Sequence, residues 1–265
     1  MNSKTDLVAY RGFLKGLALT LFALLAGTLV FVSNSKNDEG TLSKIFETSN
    51  SVMWVGPHPD DELFVAGTLG HLCKDLNYNC TIVAFGENPD LIEGNKQSAQ
   101  FLNADYIRLP DIMGKTNHNC GGKKNSGENI NCIVESWIKK GIKEELVKIV
   151  NEKKPDIVFT FEPESTIEVS QTHVASSMVA KQAIEESKVN PHHYYVIQTP
   201  HLAEKDFDKD KSKATDVIEL TNKLWSYKME VIGFYSFYYP SLEQLIDDQP
   251  YQQSRLHKEV FREVN

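Results

Sequence analysis

Residues 52–64, VMWVGPHPDDELF, set one histidine and three acidic side chains directly behind a short apolar run. Val52 to Val55 reads as a buried strand, and Pro59 stiffens the bend that follows it. In open α/β sheets ligands collect at the carboxyl ends of the strands. His58, Asp60, Asp61 and Glu62 therefore fall on the edge where a site is expected. Several carboxylates brought together cost free energy unless a cation compensates them. His58 and Asp61 are three positions apart, so one turn can aim both at a single ion and leave Asp60 beside it. Zinc fits this pattern, because a catalytic zinc takes three nitrogen or oxygen ligands from protein and keeps a position open. Iron or cobalt could occupy the same donors.

The rest of the chain decides where a third ligand comes from. Strand-like and helix-like segments alternate from Ser51 onward, which predicts an α/β domain with a mostly parallel sheet covered by helices. The expected order is a helix over 63–76, a strand TIVAF over 81–85, a helix over 91–102 and a short strand over 106–109. Residues 111–132 are rich in Gly, Asn and Lys and read as a long loop. One helix is expected over 133–153, with Ile138, Ile142, Leu146 and Ile149 at helical spacing. DIVFTF, 156–161, has the continuous apolar character of a central parallel strand. A loop, a helix over 173–187, a strand over 194–199 and a helix over 220–232 complete the pattern, followed by the aromatic stretch FYSFYYP at 234–240. His173 opens a helix one loop beyond the DIVFTF strand and is the best third ligand. His71, His118, His192, His193 and His201 read as structural or solvated.

Residues 13–32, FLKGLALTLFALLAGTLVFV, form a separate element. About 20 helical residues span roughly 30 Å, the hydrocarbon thickness of a bilayer. Arg11 and Lys15 lie at its start, so the positive-inside bias leaves residues 1–12 in the cytoplasm and carries the remainder across. The expectation is a transmembrane anchor over 13–32, a tether over 33–50 and a domain over 51–265 outside the cytoplasm. The alternative is a cleaved signal segment, with Ser33-Asn34-Ser35 as its processing site and a secreted product. Cys73, Cys80, Cys120 and Cys132 suit an oxidising compartment, where 73–80 and 120–132 would pair; the other reading is four free thiols. The net charge of -8 and the lack of a basic stripe exclude nucleic acid as a partner. Oligomeric state is not legible.

HPDDE behind a short apolar strand, with Gly67-Thr68 in the next helix, resembles the LmbE-like / PIG-L family of zinc-dependent deacetylases of N-acetylglucosamine compounds. The resemblance runs from about residue 52 to 238 and implies a Rossmann-like fold, a hydrolase removing an N-acetyl group, and an amino sugar or glycoconjugate as substrate. By position it implies His58 and Asp61 as metal ligands and Asp60 as general base. His173 matches the second histidine of the family's His-x-x-His motif, and Asp111, in RLPD, matches an aspartate near the substrate sugar. The chain departs from the family at three places. Ser170 stands where a histidine assists the tetrahedral intermediate; Lys96 is the only cation where an arginine is usual; and a closing Lys…His-x-Ser/Thr-Gln pattern is echoed only by Lys228 and Tyr235-Ser236-Phe237-Tyr238. Ser170 and Tyr235 join Asp111 as candidate substrate contacts. Two other functions remain open: a metal-binding glycan-recognition protein with weak catalysis or none, and a zinc amidohydrolase acting on another amide.

Overall fold

The computed structural model describes residues 49–86, 88–114, 116, 120, 127–163, 170–197, 215–236 and 257–264. The expected anchor at 13–32 and the charged run at 205–213 lie outside the described residues. Among the described residues no helix is long and apolar enough to cross a membrane.

Among the described residues seven strands form one sheet in the order β3-β2-β1-β4-β5-β7-β6. They are β1 Ser51–Gly56, β2 Asn79–Ala84, β3 Ala104–Arg108, β4 Ile157–Phe161, β5 His192–Ile197, β6 Asp216–Glu219 and β7 Lys258–Val264. Pairing is parallel from β3 through β5, and β7 runs antiparallel to both β5 and β6. The parallel part is the α/β arrangement expected from sequence. Strands β6 and β7 were not anticipated, because Asp216–Glu219 and Lys258–Val264 are polar enough to read as surface.

Between the strands lie α1 Ala66–Gly70, α2 Pro89–Phe101, α3 Leu109–Met113, α4 Gly127–Lys139, α5 Ile142–Lys153, α6 Gln171–Glu186 and α7 Asn222–Gly233. The expected single helix over 133–153 is two helices. Gly141 breaks it with φ +84, a left-handed conformation that glycine adopts without a Cβ penalty. The loop expected over 111–132 is likewise bracketed by helix, since α3 occupies its start and α4 its end. Both disulfides form as expected, Cys73–Cys80 and Cys120–Cys132, with Cα atoms 5.8 and 5.9 Å apart.

All six residues of β1 are buried. On one face Met53, Val55, Val83 and Val158 pack against Ile133, Trp137, Leu146, Val150 and Val179 from α4, α5 and α6. On the other, α1 meets α7 around a buried ion pair. Glu259 of β7 accepts the backbone N–H groups of Gly67 and Thr68 at 3.0 and 2.9 Å and pairs with Lys228 at 3.0 Å. A carboxylate buried here is matched by three donors, which offsets its desolvation. Lys228, the expected echo of a family lysine, is thus part of the scaffold.

The order 3-2-1-4-5 places the topological switch between β1 and β4, where adjacent strands send their connections to opposite faces. The HPDD bend leaves the end of β1, and the segment leading to α6 leaves the end of β4. Fold alone brings these two pieces of chain to one crevice.

Candidate metal centre

The bend after β1 is tightly packed. Phe85 donates its N–H to the Gly56 carbonyl at 3.2 Å, tying the ends of β1 and β2 together. Gly86 then passes so close that a Cβ there would sit 2.6 Å from the Pro57 carbonyl oxygen. Only glycine permits that approach. Asp61 opens a short 3-10 turn over Asp61–Val65, and its Oδ2 accepts the His58 backbone N–H at 2.7 Å. That bond closes the bend and turns both side chains inward.

His173, in the first turn of α6, reaches the same point from β4. Its Nε2 lies 3.1 Å from Asp61 Oδ1 and 3.1 Å from His58 Nδ1, while His58 Nδ1 lies 3.3 Å from Asp61 Oδ2. The three candidate ligands named from sequence converge. Tetrahedral zinc, with ligand bonds of about 2.0–2.1 Å, has ligand-to-ligand edges of about 3.3 Å. Two imidazole nitrogens and a carboxylate oxygen at that spacing fit a divalent cation in both chemistry and size.

The electrostatics follow from the crowding. Burial works against the His58 imidazolium, but the Asp61 carboxylate, with Asp60 adding to it, outweighs burial and raises the pKa. Burial likewise opposes ionisation of Asp61, yet His173 and His58 hold its carboxyl well below the usual range. Phe161 stacks on His173 with centroids 4.0 Å apart, and Phe64 packs edge-on to it, so apolar rings fix the imidazole.

Asp60 is half-buried between the two ligands in sequence; its charge favours the imidazolium of His58 and opposes ionisation of Glu62. Glu62 points the other way and is fully buried. It accepts Asn95 Nδ2 at 2.7 Å and the Tyr235 hydroxyl at 2.5 Å, and burial pushes its carboxyl up to about 7. Tyr235, expected as a substrate contact, is fully buried behind the bend with its hydroxyl given to Glu62. The structure thus places Tyr235 in the core, as the partner of Glu62, rather than among the converging groups. Asp111 is exposed at the end of β3 and is gripped by Arg108, whose guanidinium lowers the Asp111 pKa. Ser170 is exposed at the start of α6, with its Oγ 2.5 Å from Thr172 Oγ1. Neither Asp111 nor Ser170 is among the three converging groups.

The remaining histidines behave as solvated or structural groups where they are described. His71 is buried with Nδ1 3.1 Å from Asp75 Oδ2, and His192 faces Glu263 at 3.2 Å. His118 and His201 lie outside the described residues. Sequence reading missed Thr172, whose Oγ1 stands 3.0 Å from His58 Nε2. It also missed Glu62 and Asn95 as a pair, because nothing in their spacing signals a contact across 33 positions.

The convergence of these residues at the switch point is matched by sequence: residues 53–184 fit the family model described as PIG-L, GlcNAc-PI de-N-acetylase. This domain belongs to the PIG-L family. The matched PIG-L stretch contains the metal trio, Asp60 and Ser170, and stops short of β5. Among solved structures, an N,N'-diacetylchitobiose deacetylase from Pyrococcus horikoshii is 15% identical, with a TM-score of 0.53, and the match covers 88% of this chain and 91% of that one. The zinc-inhibited form of a teicoplanin deacetylase is 15% identical with a TM-score of 0.53, covering 81% and 98%. A 4-carboxy-2-hydroxymuconate hydratase from Pseudomonas putida KT2440 is 11% identical with a TM-score of 0.50, covering 82% and 96%. At such identities the likeness is one of fold, and that fold hosts more than one chemistry. No curated protein matches the chain.

Proposed function

We propose that this chain is a divalent-metal-dependent N-deacetylase acting on an N-acetylated amino sugar or glycoconjugate, with zinc as its metal. One observation carries the reading: His58, Asp61 and His173 meet with donor atoms 3.1–3.3 Å apart while Asp60 stands in the same bend. Pure binding of a metal needs no such second carboxylate beside the ligands.

A cation held there supplies Lewis acidity, lowering the pKa of water towards neutral and stabilising negative charge on an amide oxygen. Asp60 takes the proton from the attacking water and returns it to the departing nitrogen, so acetate and a free amine are released. Asp61 contributes its charge, and its bond to the His58 N–H keeps the bend closed. Phe161 and Phe64 keep solvent from His173. The amino-sugar class is supported by the family description and by the chitobiose deacetylase neighbour. Two disulfides support placement of the domain outside the cytoplasm, beyond the apolar segment at 13–32.

Ser170, in place of a charged family histidine, favours a second reading in which the site recognises glycans with little turnover. Acetate release from N,N'-diacetylchitobiose and from N-acetylglucosamine separates the two, measured with and without chelator. Zinc should be restored only to one equivalent, since a teicoplanin deacetylase relative has a zinc-inhibited form. Chelator-sensitive acetate release is expected. Metal binding without release from any N-acetylated sugar would leave the recognition reading in its place.

A further inference from the structure

His58 uses its two ring nitrogens in opposite directions. Nδ1 faces Asp61 and His173, whereas Nε2 faces Thr172 Oγ1 at 3.0 Å. Thr172 Oγ1 in turn lies 2.5 Å from Ser170 Oγ. Three polar groups thus form a chain that leads away from the metal trio to the exposed start of α6.

The local structure shows that this chain is favoured over a competing bond. Ser170 is the N-cap of α6, a position where a serine ordinarily accepts a backbone N–H of the first turn, worth about 1 kcal/mol. Its side chain makes no cap hydrogen bond. It turns to Thr172 instead.

Imidazole chemistry then fixes the direction of the bond between His58 and Thr172. A neutral imidazole whose Nδ1 lone pair is committed to a cation carries its proton on Nε2. Thr172 Oγ1, 3.0 Å away, is placed to accept that proton. A threonine hydroxyl accepts through two lone pairs and has one hydrogen to give, so Thr172 Oγ1 can take the Nε2 proton and still share a hydrogen bond with Ser170 Oγ. We propose that Thr172 is a positioning residue for the metal centre: by accepting from Nε2, with Ser170 Oγ as its other partner, it holds His58 in the tautomer and ring orientation that present Nδ1 to the ion. This rests on the metal-centre reading above and adds to it Thr172, a residue that the family resemblance left without a role.

The test is zinc affinity of the full chain, by competition with a chromophoric chelator, for the wild type, Thr172→Val and Thr172→Ser. Outer partners of metal-bound histidines typically matter 10–100-fold in affinity. Thr172→Val, which keeps the shape, is expected to bind zinc weaker by about that factor, and Thr172→Ser, which keeps the hydroxyl, to restore it. Long-range proton–nitrogen NMR of the zinc-loaded wild type gives an independent readout and is expected to show His58 protonated at Nε2. Wild-type affinity in Thr172→Val, or a His58 proton on Nδ1, overturns the proposal while leaving deacetylation untouched. A wild type that takes up no zinc sinks the metal centre itself.

Discussion

The imidazole of His173 lies flat on the ring of Phe161, with centroids 4.0 Å apart and planes 5° from parallel. A strand residue thereby fixes a helix residue at the crevice. Phe161 is fully buried, so Phe161→Ala removes both core volume and this support. A loss of about 3–5 kcal/mol is expected in urea unfolding of the metal-free chain. Phe161→Leu should lose less stability, yet still weaken zinc binding, because a branched aliphatic cannot stack on the imidazole.

Asp60 belongs to the bend but not to the ligand trio. Asp60→Asn is expected to keep its zinc and to lose about 10²–10⁴ in turnover, the usual contribution of a positioned general base. Metal analysis beside acetate release checks both halves. Full turnover in this variant would remove Asp60 from the mechanism.

Behind the bend, Tyr235 reaches Glu62 only because α2 presents a glycine to its ring. A Cβ at Gly94 would sit 2.6 Å from Tyr235 Cε1 and 3.0 Å from the Phe234 carbonyl oxygen. Gly94→Ala is therefore expected to destabilise the fold by about 1–3 kcal/mol through overpacking. Tyr235→Phe leaves Glu62 short of one buried donor and should cost about 1–3 kcal/mol. Denaturant midpoints read both, and neither variant is expected to lower zinc stoichiometry.

Asp75 gives a pH dependence away from the site. Burial alone would raise its pKa, but Lys223, Tyr227 and His71 all bond its carboxylate and lower it below the ordinary 3.8. The folded state therefore releases this proton more readily than the unfolded chain. The stability it contributes is present above that value and is lost as pH falls through the depressed folded pKa. Thermal unfolding from neutral pH down to acid should show the wild type losing more than Asp75→Asn, with the two curves converging at the acid end.

The parallel half of the sheet and the convergence of His58, Asp61 and His173 were legible in the sequence, for related reasons. Buried parallel strands such as SVMWVG and IVFTF are apolar throughout, and the abrupt change to HPDD marks a strand end. His173 followed from the rule that sites gather at strand ends. The antiparallel addition was not legible, because DVIE and KEVFREV group their charged and apolar residues without the period-two alternation of a half-buried strand, and their partners are far apart in sequence. Gly141 sits in an otherwise helical pattern, so its break showed only in the backbone. Tyr235 read as a pocket residue because an aromatic stretch looks alike whether it faces a ligand or the core. Thr172 carried no signal at all: its role depends on which nitrogen of His58 turns towards it.

Metal stoichiometry of the purified chain tests the central claim most directly. One zinc per wild-type chain is expected, and none in His58→Ala or His173→Ala dialysed under the same conditions. A wild type without bound metal, or a His173→Ala variant that keeps its zinc, would contradict it.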